Sequence, residues 1–295
     1  MLKFSSEIFR QENVQAIGEF LNENELVCWT IEKDEFGKCL LCGYVEDEAT
    51  GNAVFLKVKD NFTDLSDASV VAINPTNWVE EYKKFAKPWS CEDLHWVPLC
   101  MKEEVEVPEY AVGVSVDAEM AFGSGSHETT QLCARILLMF RNLHSKTDDL
   151  VIKDCIDAGC GSGILGISAV KLGLSKVTFI DTDADALRIC KKNALQNGLF
   201  ADQMDFAHGD IKICLLGRQT DLLMANILAN VLVDNANLLV GSVKSGGLLC
   251  LSGILKSESQ EVASVFSKLT KAKWESVFEN SLSEGEWTAL AYFRG

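Results

Sequence analysis

The residues best suited to chemistry in this 295-residue chain gather around one string, Ile156-Asp157-Ala158-Gly159-Cys160-Gly161-Ser162-Gly163. It follows a strand-like apolar run, Val151–Asp157, and opens a helical one, Ile164–Leu172. Gly159, Gly161 and Gly163 let the backbone turn sharply and approach a ligand that a Cβ would hold off. In a doubly wound sheet such a turn lies at the carboxyl edge of a strand, where ligands bind. Eighteen residues past Gly163 the next strand-like run ends in Asp181. A carboxylate there accepts hydrogen bonds from both hydroxyls of a ribose, so a nucleoside-type ligand is expected. Two registers compete. Gly161-x-Gly163-x-x-Gly166 fits a dinucleotide loop, whereas counting from the strand end gives Asp157-x-Gly159-x-Gly161-x-Gly163.

The elements around this turn alternate. Thr129–Phe140 has helical spacing, Val177–Asp181 reads as a strand and Ala184–Asn197 as a helix. Asp221–Ala225 (strand), Asn230–Leu239 (helix), Gly247–Ser252 (strand) and Ser257–Leu269 (helix) continue the pattern. Two strand runs, Lys273–Ser281 and Trp287–Phe293, close the chain. The alternation predicts an α/β fold, a mostly parallel sheet wrapped by helices, with the terminal hairpin adding an antiparallel edge strand. Residues 105–295 are assigned to this domain.

Residues 1–72 read as a separate small α+β domain: a helix over Ser6–Asn22, then strands Leu26–Ile31, Cys39–Val45 and Ala53–Val58. Residues 73–104 hold three of the four prolines and a short helical segment, Asn77–Phe85, and are read as the linker. The small domain has no catalytic constellation, so recognition is its expected role.

Lys and Arg total 27 against 43 Asp and Glu, a net charge of −16. Residues 1–75 alone hold six against fourteen. So acidic a chain repels nucleic-acid phosphates and favours a basic partner or a cationic ligand. No apolar run approaches the ~20 residues of a membrane span, and Met1–Arg10 has no secretory pattern, so a cytoplasmic protein is expected. Eleven scattered cysteines argue against a disulfide framework. The one close pair, Cys39 and Cys42, lacks the second pair a zinc site needs, and no metal is expected.

Two further segments carry a resemblance. Upstream lies Ala121-Phe122-Gly123-Ser124-Gly125-Ser126-His127-Glu128-Thr129-Thr130; downstream lie Ala225-Asn226-Ile227-Leu228-Ala229 and Leu251-Ser252-Gly253-Ile254-Leu255. With the in-register Asp-x-Gly-x-Gly-x-Gly string, they resemble the PrmA-type methyltransferases of large-subunit ribosomal protein eleven. The resemblance runs in order over residues ~118–256 and is looser around Trp78 and Trp96. It implies a Rossmann-like class I fold with a seven-stranded sheet, S-adenosylmethionine as cofactor, and transfer to lysine and α-amino groups of that basic ribosomal protein, free or on the ribosome. It also implies cofactor contacts from Thr130, Gly159, Asp181 and Asn226, beside the turn glycine Gly161. The family usually has Pro where this chain has Glu128, which leaves the shape of that loop open.

Chemistry sharpens two roles. Methyl transfer from a sulfonium is an in-line displacement in which the protein supplies mainly orientation and proximity. The side-chain carbonyl of Asn226 can accept a hydrogen bond from the incoming amine and aim its lone pair; capping the next helix is its alternative. His127 can relay a proton or act as a plain donor, and Phe122 can wall the methyl group. Other readings stay open at this level: a lysine methyltransferase with a different protein substrate, a non-catalytic cofactor-binding regulator, or a nicotinamide-dependent oxidoreductase.

Overall fold

The computed structural model describes residues 2–10, 13–24, 26, 28–34, 37–72, 87–117, 123, 125–144 and 153–295. The expected helix Asn77–Phe85 and the expected wall residue Phe122 lie outside them. The chain forms two compact units, Met1–Lys84 and Phe85–Gly295.

The first unit contains β1 (Leu2–Glu7), α1 (Asn13–Glu23), β2 (Trp29–Lys33), β3 (Cys39–Val45), α2 (Glu48–Asn61) and β4 (Ser69–Ala72). Its four strands form an antiparallel sheet in the order β2-β3-β1-β4. Two expectations fail here. The helix expected from Ser6 starts only at Asn13, because Leu2–Glu7 follows a period of two that buries Phe4 and Ser6 on one face. The run Ala53–Val58, expected as a strand, lies within α2. Asp47 caps that helix by accepting the Thr50 backbone N–H at 2.9 Å, and Gly51, Phe55 and Val58 fall on its buried face. Cys39 and Cys42 are both free; an odd separation along β3 points their side chains to opposite faces of the sheet.

The second unit opens with a small sheet, β5 (Trp89–Cys91), β6 (Leu94–Pro98) and β7 (Val112–Val116). Then come α3 (Glu128–His144), β8 (Asp154–Ala158), α4 (Ile164–Lys171), β9 (Lys176–Asp181), α5 (Ala184–Gln196) and β10 (Met204–His208). The chain continues through α6 (Ile211–Cys214), β11 (Thr220–Asn226), α7 (Ala229–Asp234), α8 (Ala236–Gly241) and β12 (Val243–Leu255). It closes with α9 (Ser259–Lys273), β13 (Val277–Glu284) and β14 (Trp287–Arg294).

Seven strands make the main sheet, in the order β10-β9-β8-β11-β12-β14-β13. The first five run parallel, and β14 is antiparallel to both its neighbours. The antiparallel strand is therefore not at the edge as expected. It sits one place inside, and edge strand β13 runs in the direction of the parallel set. The expected helix Asn230–Leu239 is two short helices broken at Asn235, and β10 was not anticipated. Neighbouring strand residues face opposite cores: Cys155, Leu222 and Phe179 pack on one side, Ile156, Leu223 and Ile180 on the other. A sheet buried on both faces explains why its strands read as apolar runs without alternation.

The strand order reverses between β8 and β11, so the carboxyl end of β8 lies at a topological switch point, where open α/β sheets bind ligands. The glycine turn stands there. Asn193, fully buried on α5, braces it by donating to the Ser162 carbonyl at 2.9 Å and to the Asp117 carbonyl at 3.0 Å. Trp96 donates to Ser168 Oγ at 2.8 Å and packs β6 against α4.

Candidate active site

A cleft of about 670 Å³ opens at the switch point. His127, Gly159, Gly161, Asp181 and Asn226, all singled out from the sequence, line it. Thr130 lies behind them, buried, and its hydroxyl receives the Asn226 Nδ2–H at 3.3 Å.

The floor depends on two glycines. Gly159 has φ +72°, and a Cβ there would stand 2.3 Å from Ile227 Cγ2. Gly253 has φ +82°, and its Cβ would stand 2.3 Å from the Ile227 carbonyl oxygen. Ile227 is thus gripped from both sides by backbone that tolerates no side chain, which fixes the segment following Asn226.

The wall is acidic. Asp181, at the end of β9, accepts the Gly161 N–H at 2.9 Å and the Asp183 N–H at 3.0 Å. Each oxygen keeps lone-pair capacity for a further donor. Asp183 caps α5 and Asp210 caps α6, the latter by accepting the Lys212 N–H at 2.7 Å. All three aspartates line the cleft, with no Lys or Arg among its described lining residues. Such a lining favours a cationic ligand and disfavours a pyrophosphate. Gly166 lies inside α4, where a Cβ would stand 2.5 Å from Phe179 of β9, and its N–H is taken by Asp157 at 2.8 Å; it serves helix–strand packing and does not touch the cleft.

Asn226 is the most telling group. Its Oδ1 is buried without any hydrogen-bond partner, a cost of about 1–3 kcal/mol unless a ligand donor arrives. Helix capping does not account for it, because the cap position of α7 is Leu228. His127 lines the cleft too, one turn from Thr130, whose backbone N–H donates to the His127 carbonyl at 3.1 Å. Its Nδ1 accepts the Thr129 backbone N–H at 3.3 Å and stands 2.8 Å from Thr129 Oγ1, so the neutral ring carries its proton on Nε2. Trp287, at the start of β14, packs edge-on against the His127 ring with centroids 5.1 Å apart. Leu228, inside the Asn226-Ile227-Leu228 segment, lines the cleft, and so do Asp210, Ile211 and Trp287, which were not identified from the sequence. No short motif marks them, and only the sheet order brings them in.

A model of the ribosomal protein L11 methyltransferase (PrmA) family matches residues 14–294. The chain belongs to that family. The ribosomal protein L11 methyltransferase of Shewanella pealeana is 35% identical over 80% of this chain and 72% of its own length. That of Shewanella sp. strain ANA-3 is 37% identical over 74% of this chain and 68% of its own. The crystal structure of a ribosomal protein L11 methylase from Lactobacillus delbrueckii subsp. bulgaricus shares the fold, with a TM-score of 0.56 at 24% identity, over 69% of this chain and 96% of that one. The fold is thus the class I methyltransferase fold, and the expected resemblance holds at the level of family and architecture. As a PrmA-family member the protein is a methyltransferase, not a nicotinamide-dependent oxidoreductase.

Beneath the PrmA-type glycine turn, Asp157 is buried, and its carboxyl is pushed up to about 7. Desolvation is the main cause and the nearby charge of Asp181 adds to it, while the Gly166 N–H opposes both. A carboxyl raised in the folded state is protonated there over a range where the unfolded chain has already ionised. Folding stability therefore falls as pH rises from about 4 to 7, by about 4 kcal/mol from this group alone. Asp157→Asn keeps an acceptor for Gly166 and removes the titration. Its melting temperature, measured by calorimetry at pH 5 and pH 8, is expected to gain on the wild type as pH increases; parallel profiles would show that Asp157 is not protonated near neutrality.

Proposed function

We propose that this protein is an S-adenosylmethionine-dependent N-methyltransferase acting on lysine side-chain and α-amino groups of large-subunit ribosomal protein eleven. The observation that carries the reading is the orphaned Asn226 Oδ1, a buried acceptor in an acidic cleft beside a glycine turn. The residues present suit the cofactor: Gly159 leaves space that a Cβ would fill, and the carboxylates suit a ligand bearing a sulfonium and an ammonium. When bound, S-adenosylmethionine supplies a methyl group on a positively charged sulfur leaving group.

In this reading Asp181 holds the ribose hydroxyls, while Asp210 and Ile211 receive the base. Gly159 and Gly161 admit the amino-acid portion, and Thr130 fixes the Asn226 amide through Nδ2. Asn226 Oδ1 then accepts an N–H of the neutral target amine and aims its lone pair, which is catalysis by orientation. His127 lines the amine side as a donor through Nε2; a proton relay through the ring would have to displace Thr129 from Nδ1. No described group of His, Cys, Asp or Glu is arranged to hold a metal ion, and none is needed for this displacement.

Residues 1–72 are proposed to recognise the substrate. Their excess of acidic residues complements a basic ribosomal protein and opposes direct contact with nucleic acid. No described helix is long and apolar enough to cross a membrane, and the site of action proposed is the cytoplasm, where ribosomes are assembled.

Incubation with labelled S-adenosylmethionine and a mixture of purified ribosomal proteins is expected to label protein eleven. Label on a different protein would replace the substrate, and cofactor binding without any transfer would leave a regulator. Removal of residues 1–70 is expected to preserve cofactor affinity while abolishing transfer to the intact protein. Retained transfer would take the recognition role away from that domain.

A further inference from the structure

We infer that Glu128 determines specificity for the target amine, holding it as an ammonium at the rim of the cleft before transfer. The inference rests on the function proposed above and adds to it a residue that meets the substrate first. Glu128 opens α3 directly after His127. Its Oε2 stands 4.0 Å from His127 Nδ1, and its Oε1 is 3.7 Å from where a side chain on Gly285 would begin. The carboxylate therefore lies between the first turn of α3 and the tip of the β13–β14 hairpin, next to His127, whose ring lines the cleft together with that of Trp287.

Its charge is uncompensated. Glu284, one of two carboxylates at that hairpin tip, is paired with Arg135 at 2.9 Å. Among the described residues the only ion-pair partner of Glu128 is the His127 imidazole, whose nearer nitrogen already accepts the Thr129 N–H. The side chain of Glu128 is 45% exposed, open to an arriving group. A lysine ammonium is a compact, strongly hydrated charge that such a carboxylate attracts without desolvating it. Asn226, deeper in the cleft, takes the amine after its proton has gone to water. Capture at the rim and alignment at the floor then fall to different residues. The rim interaction sets arrival and hence KM; it leaves kcat to Asn226.

As a first-turn acid, Glu128 also complements the helix dipole of α3, so loss of stability alone would not test the role. The test uses the full-length protein, S-adenosylmethionine and purified protein eleven. Glu128→Gln is expected to raise KM for the protein substrate roughly 3–10-fold, with kcat within about twofold and cofactor affinity by calorimetry unchanged. Glu128→Lys is expected to raise KM further, and Glu128→Asp to restore most of the loss. The difference between wild type and Glu128→Gln should shrink in ~0.5 M salt, as an exposed charge interaction must. An unchanged KM in both the Gln and Lys variants overturns the inference. So does a fall in kcat at constant KM, which would reduce Glu128 to a helix-end residue. Failure of the wild type to label protein eleven overturns the parent reading instead, and is seen before any variant is made.

Discussion

Asp181→Ala is expected to weaken S-adenosylmethionine binding by at least ~100-fold in calorimetry. Two hydrogen bonds from ribose hydroxyls to a carboxylate, at about 1.5–3 kcal/mol each, would be lost. The loss reaches beyond the ligand. The same carboxylate receives the Gly161 and Asp183 N–H groups, so it also ties the glycine turn to the start of α5. Asp181→Asn keeps acceptor capacity at one oxygen and should bind between the two. Equal affinity of wild type and Asp181→Ala would remove the ribose from this position.

Asn226→Ala is expected to reduce kcat by ~100-fold or more, the scale seen when one preorganised hydrogen-bonding group is removed from an active site. Its effect on the ligand-free fold should have the opposite sign. The wild-type amide buries an oxygen with no partner, and deleting it relieves a cost of about 1–3 kcal/mol, offset by the lost bond to Thr130. A melting temperature that is unchanged or higher, together with a large fall in kcat, is the result the proposed role requires. A normal kcat would return Asn226 to a structural position.

Legibility in the sequence followed local determinism. The glycine turn could be read because its register is set within eight residues: the strand ends at Ala158, one residue past the expected Asp157, and the helix begins after Gly163. β3 and the parallel strands β8, β9, β11 and β12 were legible for a related reason, since burial on one or both faces imprints period or run length directly. α2 was misread because Ala53–Val58 places five apolar residues in six, a density that hides the helical spacing of Gly51, Phe55 and Val58. The signal that would have corrected it, Asp47 three residues before Thr50, lay upstream of the run. β10 carries a single buried residue and gave too little pattern to see. Within the cleft, Asp210 and Trp287 were invisible for a topological reason. Their roles exist only once β10 lies beside β9 and β14 beside β12, pairings that no short-range feature encodes.

The inserted position of β14 has a consequence for how the molecule matures. The ribbon Val277–Arg294 can zip locally through its Glu284–Trp287 closure, yet it joins the remaining strands along a single seam against β12. Docking of the ribbon onto β12 is therefore a single step that joins residues 32 to 45 apart along the chain. Trp287 arrives with it. A partly opened species with that seam released would keep the glycine turn and lose Trp287 from the cleft. In hydrogen exchange the ribbon amides should open together, as one cooperative block weaker than the parallel strands.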